Sequence, residues 1–107
     1  PPSQVGIPSV VVHELQMGIL KSQHPARRRE QFEALVSAAT VLSLDKDAAI
    51  AAAGIRTTLE ANGQGIGPMD TLIAGTALAH NAVLVTHNTR EFARVPGMQI
   101  TDWYAAG

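Results

Sequence analysis

Residues 65–92 read GIGPMDTLIAGTALAHNAVLVTHNTREF, and this stretch predicts a loop, a helix, a buried strand and the start of a second helix. Gly67 and Pro68 mark the entry of the first helix, because proline at the first helical position has a preset φ and needs no amide partner. Apolar residues at helical spacing follow, and Asn81 ends the helix. The run at 82–85 is short and apolar, as expected of a strand covered on both faces.

Two polar side chains stand where this stretch turns. Asp70 lies in the first turn of the predicted helix, and Asn88 follows the predicted strand. Ligands of open α/β sheets bind beyond the carboxyl ends of the strands. We therefore expect Asn88 and Glu91 at a natural site position, and Asp70 joins them if its helix begins at the same edge of the sheet.

The rest of the chain also alternates strands with helices. The predicted strands cover residues 7–12, 41–44 and 98–101, and the predicted helices cover 13–20, 26–39 and a segment after Asp45. Pro8 is restricted to the opening of its strand, Glu14 falls in a first helical turn, and Trp103 closes against the body. This alternation predicts a small α/β sandwich whose parallel strands are joined by right-handed crossovers.

The composition of the chain excludes several classes of function and of binding site. A chain of 107 residues is one modest domain, and its formal net charge of −1 excludes a strongly basic coat for non-specific nucleic-acid binding. The absence of cysteine excludes disulfides and thiolate zinc sites and fits a reducing cytoplasm. No apolar run approaches the length of a membrane span, and no signal-peptide pattern opens the chain.

Three acids share one kind of position in the predicted fold. Glu14, Asp70 and Glu91 each follow a strand or begin a helix, and Asn88 lies beside the last of them. Clustered carboxylates with an amide match the hard oxygen ligands of magnesium and manganese. The alternative is structural: first-turn acids stabilise the helix dipole, and residues 88–91 form a capping box.

Other charged residues give weaker signals. The four histidines show no metal-binding spacing such as HExxH, so His80 is interpreted as a capping contact at a helix end. His87 is interpreted as a loop histidine beside the proposed site. Two interpretations remain for the arginines at 27–29 and Lys21: they bind RNA phosphates, or they form a solvated helix face.

Three segments together resemble the PIN-domain ribonucleases, in the family's order. Residues 9–18, SVVVHELQMG, resemble the strand followed by an E-L-x-x-G segment, and residues 66–75, IGPMDTLIAG, resemble the third-acid helix. Residues 84–92, LVTHNTREF, are similar to the closing segment of the VapC toxins of bacterial toxin–antitoxin pairs. The resemblance implies one PIN-like domain over residues 1–107, a three-layer α/β sandwich with a small, mostly parallel sheet.

The resemblance also implies an activity and its partners. PIN-domain toxins are Mg²⁺- or Mn²⁺-dependent endoribonucleases that cleave RNA phosphodiester bonds, tRNA among them, through a metal-activated water. Glu14 and Asp70 would coordinate the metal, Asn88 would be a weaker ligand, and Glu91 would supply the missing charge. The implied partners are a VapB-type antitoxin, whose C-terminal segment lies across the active site, and a second toxin copy in a homodimer.

The chain departs from the family pattern at its N-terminus. Family members open with a strand carrying L-D-T-N, whose aspartate is the first metal acid, whereas this chain starts Pro-Pro-Ser-Gln. We therefore expect that the N-terminal strand and first helices are missing, and that the sheet either has an unpaired gap or has that gap filled by another segment. On this view the chain by itself is not catalytically competent.

Two other functions remain open at this point. The first is a non-catalytic PIN-like domain that binds protein, which Asn88 in place of an acid favours. The second is a small doubly wound signalling domain, which requires an exposed phosphoacceptor aspartate at the end of a strand. Only Asp45 qualifies, and it fits better as a helix cap.

Overall fold

The computed structural model describes residues 4–86 and 88–102. The elements are β1 (Val5–Pro8), α1 (Ser9–Lys21), α2 (Pro25–Ala38), β2 (Thr40–Leu42), α3 (Lys46–Ala61), α4 (Pro68–Ala79), β3 (Val83–Val85), α5 (Thr89–Phe92) and β4 (Ile100–Thr101). The interpretations of His87 and Trp103 fall outside the described residues. In the described part of the chain, no helix combines the length and apolarity needed to cross a membrane.

The four strands form one sheet in the order β2-β1-β3-β4, and every neighbouring pair is parallel. This confirms the predicted α/β class with a small parallel sheet. The prediction of an unpaired gap is wrong for this structure, because β1 pairs directly with β3 and aligns Val5 with Val83. The backbone N–H of Val83 also donates to the carbonyl oxygen of Gln4 at 2.9 Å.

Helices cover both faces of the sheet. Successive residues of a strand point to opposite faces, and Leu84 and Val85 show this on β3. Leu84 packs in a core cluster with Ile73 of α4, whereas Val85 packs with Ile7 of β1 and Leu35 of α2. The result is the predicted three-layer arrangement, with β3 buried from both sides.

The helix α4, which carries Asp70, is held tightly against α3. A Cβ atom built on Gly75 would lie 2.5 Å from the backbone nitrogen of Ala52, so only glycine allows this approach. The predicted N-cap of α3 is confirmed, since Asp45 Oδ1 accepts a hydrogen bond from the backbone N–H of Ala48 at 2.9 Å. These contacts fix where the first turn of α4 lies.

The strand predicted over residues 7–12 is placed wrongly. β1 ends at Pro8, and the valines that follow belong to α1, where Val10 is buried. A short apolar run cannot be assigned to strand or helix from its periodicity alone. Because α1 begins at Ser9, its first turn contains no acid, and the placement of Glu14 in a first turn is also wrong.

Candidate active site

The carboxyl ends of the strands bring three of the four predicted site residues to one cleft, and the fourth, Glu91, lies beside Asn88 without lining the cleft. Asp70 lies in the first turn of α4, which begins at Pro68 as predicted, and Asn88 follows β3. Glu14 comes from α1, which leaves the end of β1. One cleft of about 270 Å³ is lined by all three side chains, those of Glu14, Asp70 and Asn88, although Glu14 and Asp70 are far apart along the chain.

The cleft has a polar rim and an apolar floor. Thr86 joins the three predicted residues on the rim. The floor consists of side chains from six elements of the fold: Ile7, Val11, Leu15, Leu35, Ile73, Val85 and Phe92. An apolar floor beneath charged groups lowers the local dielectric and strengthens the electrostatic interactions at the rim.

Asn88 connects two carboxylates. Its Nδ2 lies 3.5 Å from Asp70 Oδ2 and 3.3 Å from Glu91 Oε2, within reach of both acceptors. Its backbone N–H donates to Thr86 Oγ1 at 2.9 Å. The capping-box interpretation is therefore wrong: Asn88 precedes α5 at the N-cap position, but its side chain makes no capping hydrogen bond.

Asp70 and Glu91 shift each other's pKa in opposite directions. The pKa of Asp70 is raised from 3.8 to about 6, first by burial, then by a hydrogen bond to Glu91 and by the negative charges of Glu91 and Glu14. The pKa of Glu91 is lowered by hydrogen bonds from Asp70 and Asn88 and by the charge of Arg94. When the pair holds one proton, that proton resides on Asp70 and Glu91 stays ionised.

Sequence reasoning missed two residues around this pair. Arg94 Nη1 donates to the carbonyl oxygen of Gly65 at 3.0 Å, which joins the end of α5 to the loop before α4. The signal for Arg94 was its spacing of three residues from Glu91 on a helical turn. Thr86 directly follows β3, and its hydroxyl accepts the hydrogen bond from the backbone N–H of Asn88, a local contact that no motif in the sequence marks.

His80 does not contribute to the cleft. It is the C-cap residue of α4, as interpreted from the sequence, and its backbone N–H bonds to Thr76 O at 3.1 Å. Its ring Nε2 lies 2.9 Å from Ser43 O and 3.4 Å from Asp45 Oδ2. The ring therefore ties the end of α4 to the connection between β2 and α3.

The donor groups at the cleft suit a hard cation in their chemistry. Among residues 4–86 and 88–102, no group of three or more His, Cys, Asp or Glu side chains is close enough to hold a metal ion. The compact set is two carboxylates and one amide, from Asp70, Glu91 and Asn88, with Glu14 on the same cleft. Magnesium keeps several waters when bound, so a set of this size fits it.

Comparison with known proteins identifies the family. A PIN-domain model matches residues 2–98. The tRNA(fMet)-specific endonuclease VapC of Salmonella typhimurium is 42% identical over 101 residues, which cover 94% of this chain and 76% of that protein. DNA-bound VapBC from Salmonella typhimurium contains a chain that matches with a TM-score of 0.77 and 42% identity, over 92% of this chain and 74% of that chain. VapBC2 from Rickettsia felis, bound to a promoter DNA fragment, matches with a TM-score of 0.79 and 34% identity, over 94% and 75%.

These matches span nearly all of the described structure and confirm the resemblance that residues 9–18, 66–75 and 84–92 carry. The relatives are named as endonucleases and ribonucleases of the VapC type. They share the fold of this chain as well as its sequence. The chain belongs to the PIN-domain family, with the VapC ribonucleases as its relatives.

Proposed function

We propose that this chain acts as a metal-dependent endoribonuclease of the VapC type, with its active site at the cleft of Glu14, Asp70, Asn88 and Glu91. The observation that carries the proposal is the cluster of Asp70, Asn88 and Glu91, in which one amide lies within hydrogen-bond distance of two carboxylates. Two carboxylates this close repel each other when both are ionised, and a bound cation would offset that repulsion.

Mg²⁺ or Mn²⁺ would be held by Asp70 and Glu91, with the amide oxygen of Asn88 as a weaker donor and Glu14 from its place on the cleft. When bound, the cation supplies positive charge to the phosphate and lowers the pKa of a water molecule. The raised pKa of Asp70, about 6, leaves its carboxyl group ionised at neutral pH and ready to bind a cation.

The other residues of the cleft shape the substrate site. Arg94 holds the loop at Gly65 beside α5 and thereby keeps the entry of α4 in position. Thr86 fixes the backbone at Asn88. The apolar floor excludes water from beneath the acids, which strengthens their attraction for positive charge.

A cleavage assay tests the proposal. A single-stranded RNA and an initiator tRNA are incubated with the chain in Mn²⁺, Mg²⁺ or excess EDTA. Any cleavage should require a divalent cation and fall at least a hundredfold in Asp70→Asn, and a chain that cleaves would overturn the expectation that it is not competent by itself. Asp47→Asn is the matched control, because Asp47 is an exposed acid on α3. Cleavage that survives EDTA, or equal rates for Asp70→Asn and the parent, would contradict the proposal.

The proposed partner is a VapB-type antitoxin, because solved relatives of this chain are VapBC complexes. Co-expression of the chain with such an antitoxin should yield a stable complex that no longer cleaves RNA. Light scattering of the free chain would show whether it forms the expected homodimer. An antitoxin that neither binds nor inhibits the chain would contradict this part of the proposal.

A non-catalytic, protein-binding PIN domain is the second candidate. The observation in its favour is that, within the described residues, no three acids come together and Asn88 takes the third place. A folded chain that binds the antitoxin, but neither binds Mn²⁺ nor cleaves RNA, would support this candidate over the first. Titration calorimetry, which measures Mn²⁺ binding, distinguishes the nuclease from the non-catalytic domain without a known RNA substrate.

A further inference from the structure

A group of cations lies at the junction of α1 and α2. Lys21 ends α1, and arginines occupy residues 27–29 at the start of α2. All four side chains are exposed, and within the described ranges none of them forms an ion pair. Positive charge at the start of a helix opposes the helix dipole, and α2 has no acid in its first turn to offset it. The three arginines therefore do not stabilise α2, whereas Lys21, in the last turn of α1, has the favourable position for a cation.

The topology places this junction beyond the edge of the sheet where the cleft opens. α2 ends at Ala38, directly before β2, so its C-terminus lies at the amino edge of the parallel sheet. Its 14 residues span about 21 Å, whereas the four residues of β1 span about 13 Å. The start of α2 therefore projects past the carboxyl edge of the sheet. The end of α1 lies there too, because only residues 22–24 connect the two helices.

Helical spacing places two of the cations above the cleft. Lys21 comes seven residues after Glu14 on α1, and Arg28 comes seven residues before Leu35 on α2. Residues seven apart share a helix face to within about 20°. Glu14 and Leu35 both line the cleft, so Lys21 and Arg28 lie on the cleft-facing sides of their helices, about 10 Å further along.

We propose that Lys21 and Arg28, with Arg29 beside them, form a phosphate-binding rim that holds single-stranded RNA next to the cleft. The inference rests on the proposed ribonuclease function and adds a second contact to it. A distance of about 10 Å along the helices corresponds to roughly three stacked nucleotides. Arginine and lysine that touch only phosphates position a strand without reading its sequence.

The position of the rim favours RNA over an acidic peptide. Guanidinium groups pair with phosphate and carboxylate oxygens alike, but the rim lies in line with the cleft where the scissile phosphate would bind. A single strand that enters the cleft must leave past one of its walls, and α1 and α2 form two of them. An acidic protein segment on the rim is the competing occupant, and the test includes it.

The test measures how binding depends on salt. All proteins carry Asp70→Asn so that RNA stays intact, and the probe is a labelled 12-nucleotide single-stranded RNA in Mg²⁺. Each phosphate contact on a single strand contributes a slope of about −0.7 to log K against log salt. We expect Lys21→Gln/Arg28→Gln to flatten the slope by about 1.4 and to weaken binding about 25-fold at 0.1 M salt.

The matched control is Arg56→Gln, because Arg56 is an exposed cation on α3, which does not line the cleft. It should leave the slope and the affinity unchanged. A dinucleotide RNA, too short to span the distance of about 10 Å from cleft to rim, should bind the parent and the double variant equally. Melting temperatures should stay about level, because the charge lost at Arg28 opposed the dipole of α2 while the charge lost at Lys21 favoured that of α1.

Three outcomes would overturn the inference. Equal slopes for parent and double variant, with RNA cleavage intact in the chain that keeps Asp70, would overturn the rim alone. Loss of binding to a polyglutamate peptide without loss of RNA binding would assign the rim to a protein partner. RNA binding absent from the parent, together with absent cleavage, would overturn both the rim and the proposed function.

Discussion

Asp70 shows, at the scale of single residues, how a site can oppose the stability of its own fold. Its pKa of about 6 lies above the ordinary 3.8, so the folded chain binds more protons than the unfolded chain between these pH values. Stability from this group is fully present below pH 4 and is lost as pH rises through about 6. The metal-free protein therefore carries a destabilising charge at neutral pH.

The first prediction concerns this charge. Asp70→Asn should raise the free energy of unfolding of the metal-free protein at pH 7.5, because it removes a carboxylate that burial and two neighbouring acids disfavour. It should also remove the fall in stability between pH 4 and about pH 6. Denaturant titrations of parent and variant in EDTA across this range measure both effects. A variant less stable than its parent at pH 7.5 would contradict this account of Asp70.

The second prediction concerns competition between protons and metal. Mn²⁺ affinity should fall as pH drops below about 6, because Asp70 must lose its proton to bind a cation. Calorimetry in two buffers of different ionisation heat should detect proton release on binding at pH 6. Asp47→Asn is the control and should keep the parent's pH profile. A Mn²⁺ affinity that stays constant from pH 5 to pH 8 would show that Asp70 does not bind the metal.

The third prediction uses the position of Asn88 between Asp70 and Glu91. Asn88→Asp should tighten Mn²⁺ binding at least tenfold, because a third carboxylate replaces the weaker amide donor. The same change should lower the melting temperature of the metal-free protein by adding a like charge. Titration calorimetry and thermal melts with and without Mn²⁺ measure the two effects. Unchanged affinity would show that Asn88 does not face the cation.

How far single residues could be predicted follows from these contacts. Asp70, Asn88 and Glu91 were expected at one strand edge, because turn positions and the end of β3 can be identified in the sequence. The capping box was wrong because a pattern of residues cannot show that an amide will find carboxylates from another helix. Arg94 was missed because its partner, the carbonyl oxygen of Gly65, is distant along the chain.

At the scale of elements, the packing of α3 against α4 decides where Asp70 lies. The fourth prediction is that Gly75→Ala destabilises the fold by about 1–3 kcal/mol, because the added methyl group would lie 2.5 Å from the backbone of Ala52. Denaturant unfolding measures the change. Cleavage and Mn²⁺ binding should weaken with it, since a displaced α4 moves Asp70.

The matched control for this prediction is Gly54→Ala on α3, where a Cβ would meet no atom within 4 Å. That change should be neutral or stabilising by about 0.5–1 kcal/mol, because alanine favours the helix. Equal stability of the Gly75→Ala and parent proteins would show that the two helices are not in such close contact.

Helices were predicted well where a proline or a capping aspartate marks their start, and elements without such a marker were predicted poorly. Pro68 and Asp45 fixed the starts of α4 and α3, and both starts are confirmed. The valines after Pro8 favour a strand by propensity, yet they form α1 because both helix faces find apolar partners. Tertiary packing overrides local preference there, and no single-sequence pattern reveals it.

At the scale of the whole molecule, the order of the strands is the feature that the sequence left open. The fifth prediction is that the variant Val5→Cys/Val83→Cys forms a disulfide under mild oxidation, because β1 and β3 are neighbours that align these two residues. Adjacent strands lie about 4.8 Å apart, within the range of a disulfide. The chain has no other cysteine, so gel mobility with and without reductant measures the bond directly.

Val5→Cys/Ile100→Cys is the control for the cross-link. β4 lies beyond β3 in the sheet, so these two positions are two strands apart and exceed disulfide distance. A cross-link in the control, or none in the test pair, would contradict the strand order. The expectation of a gap arose from the family pattern, and the described residues close it by pairing β1 with β3.

Direct pairing of the first and third strands has a consequence for synthesis on the ribosome. Such a contact joins residues separated by most of the chain, and long-range parallel pairs form late in folding. A nascent chain that has released Glu14 still lacks Asp70, Asn88 and the strand that completes the centre of the sheet. The cleft therefore assembles only after residues 5–92 have emerged, and a translation product that stops before Asn88 has no complete cleft.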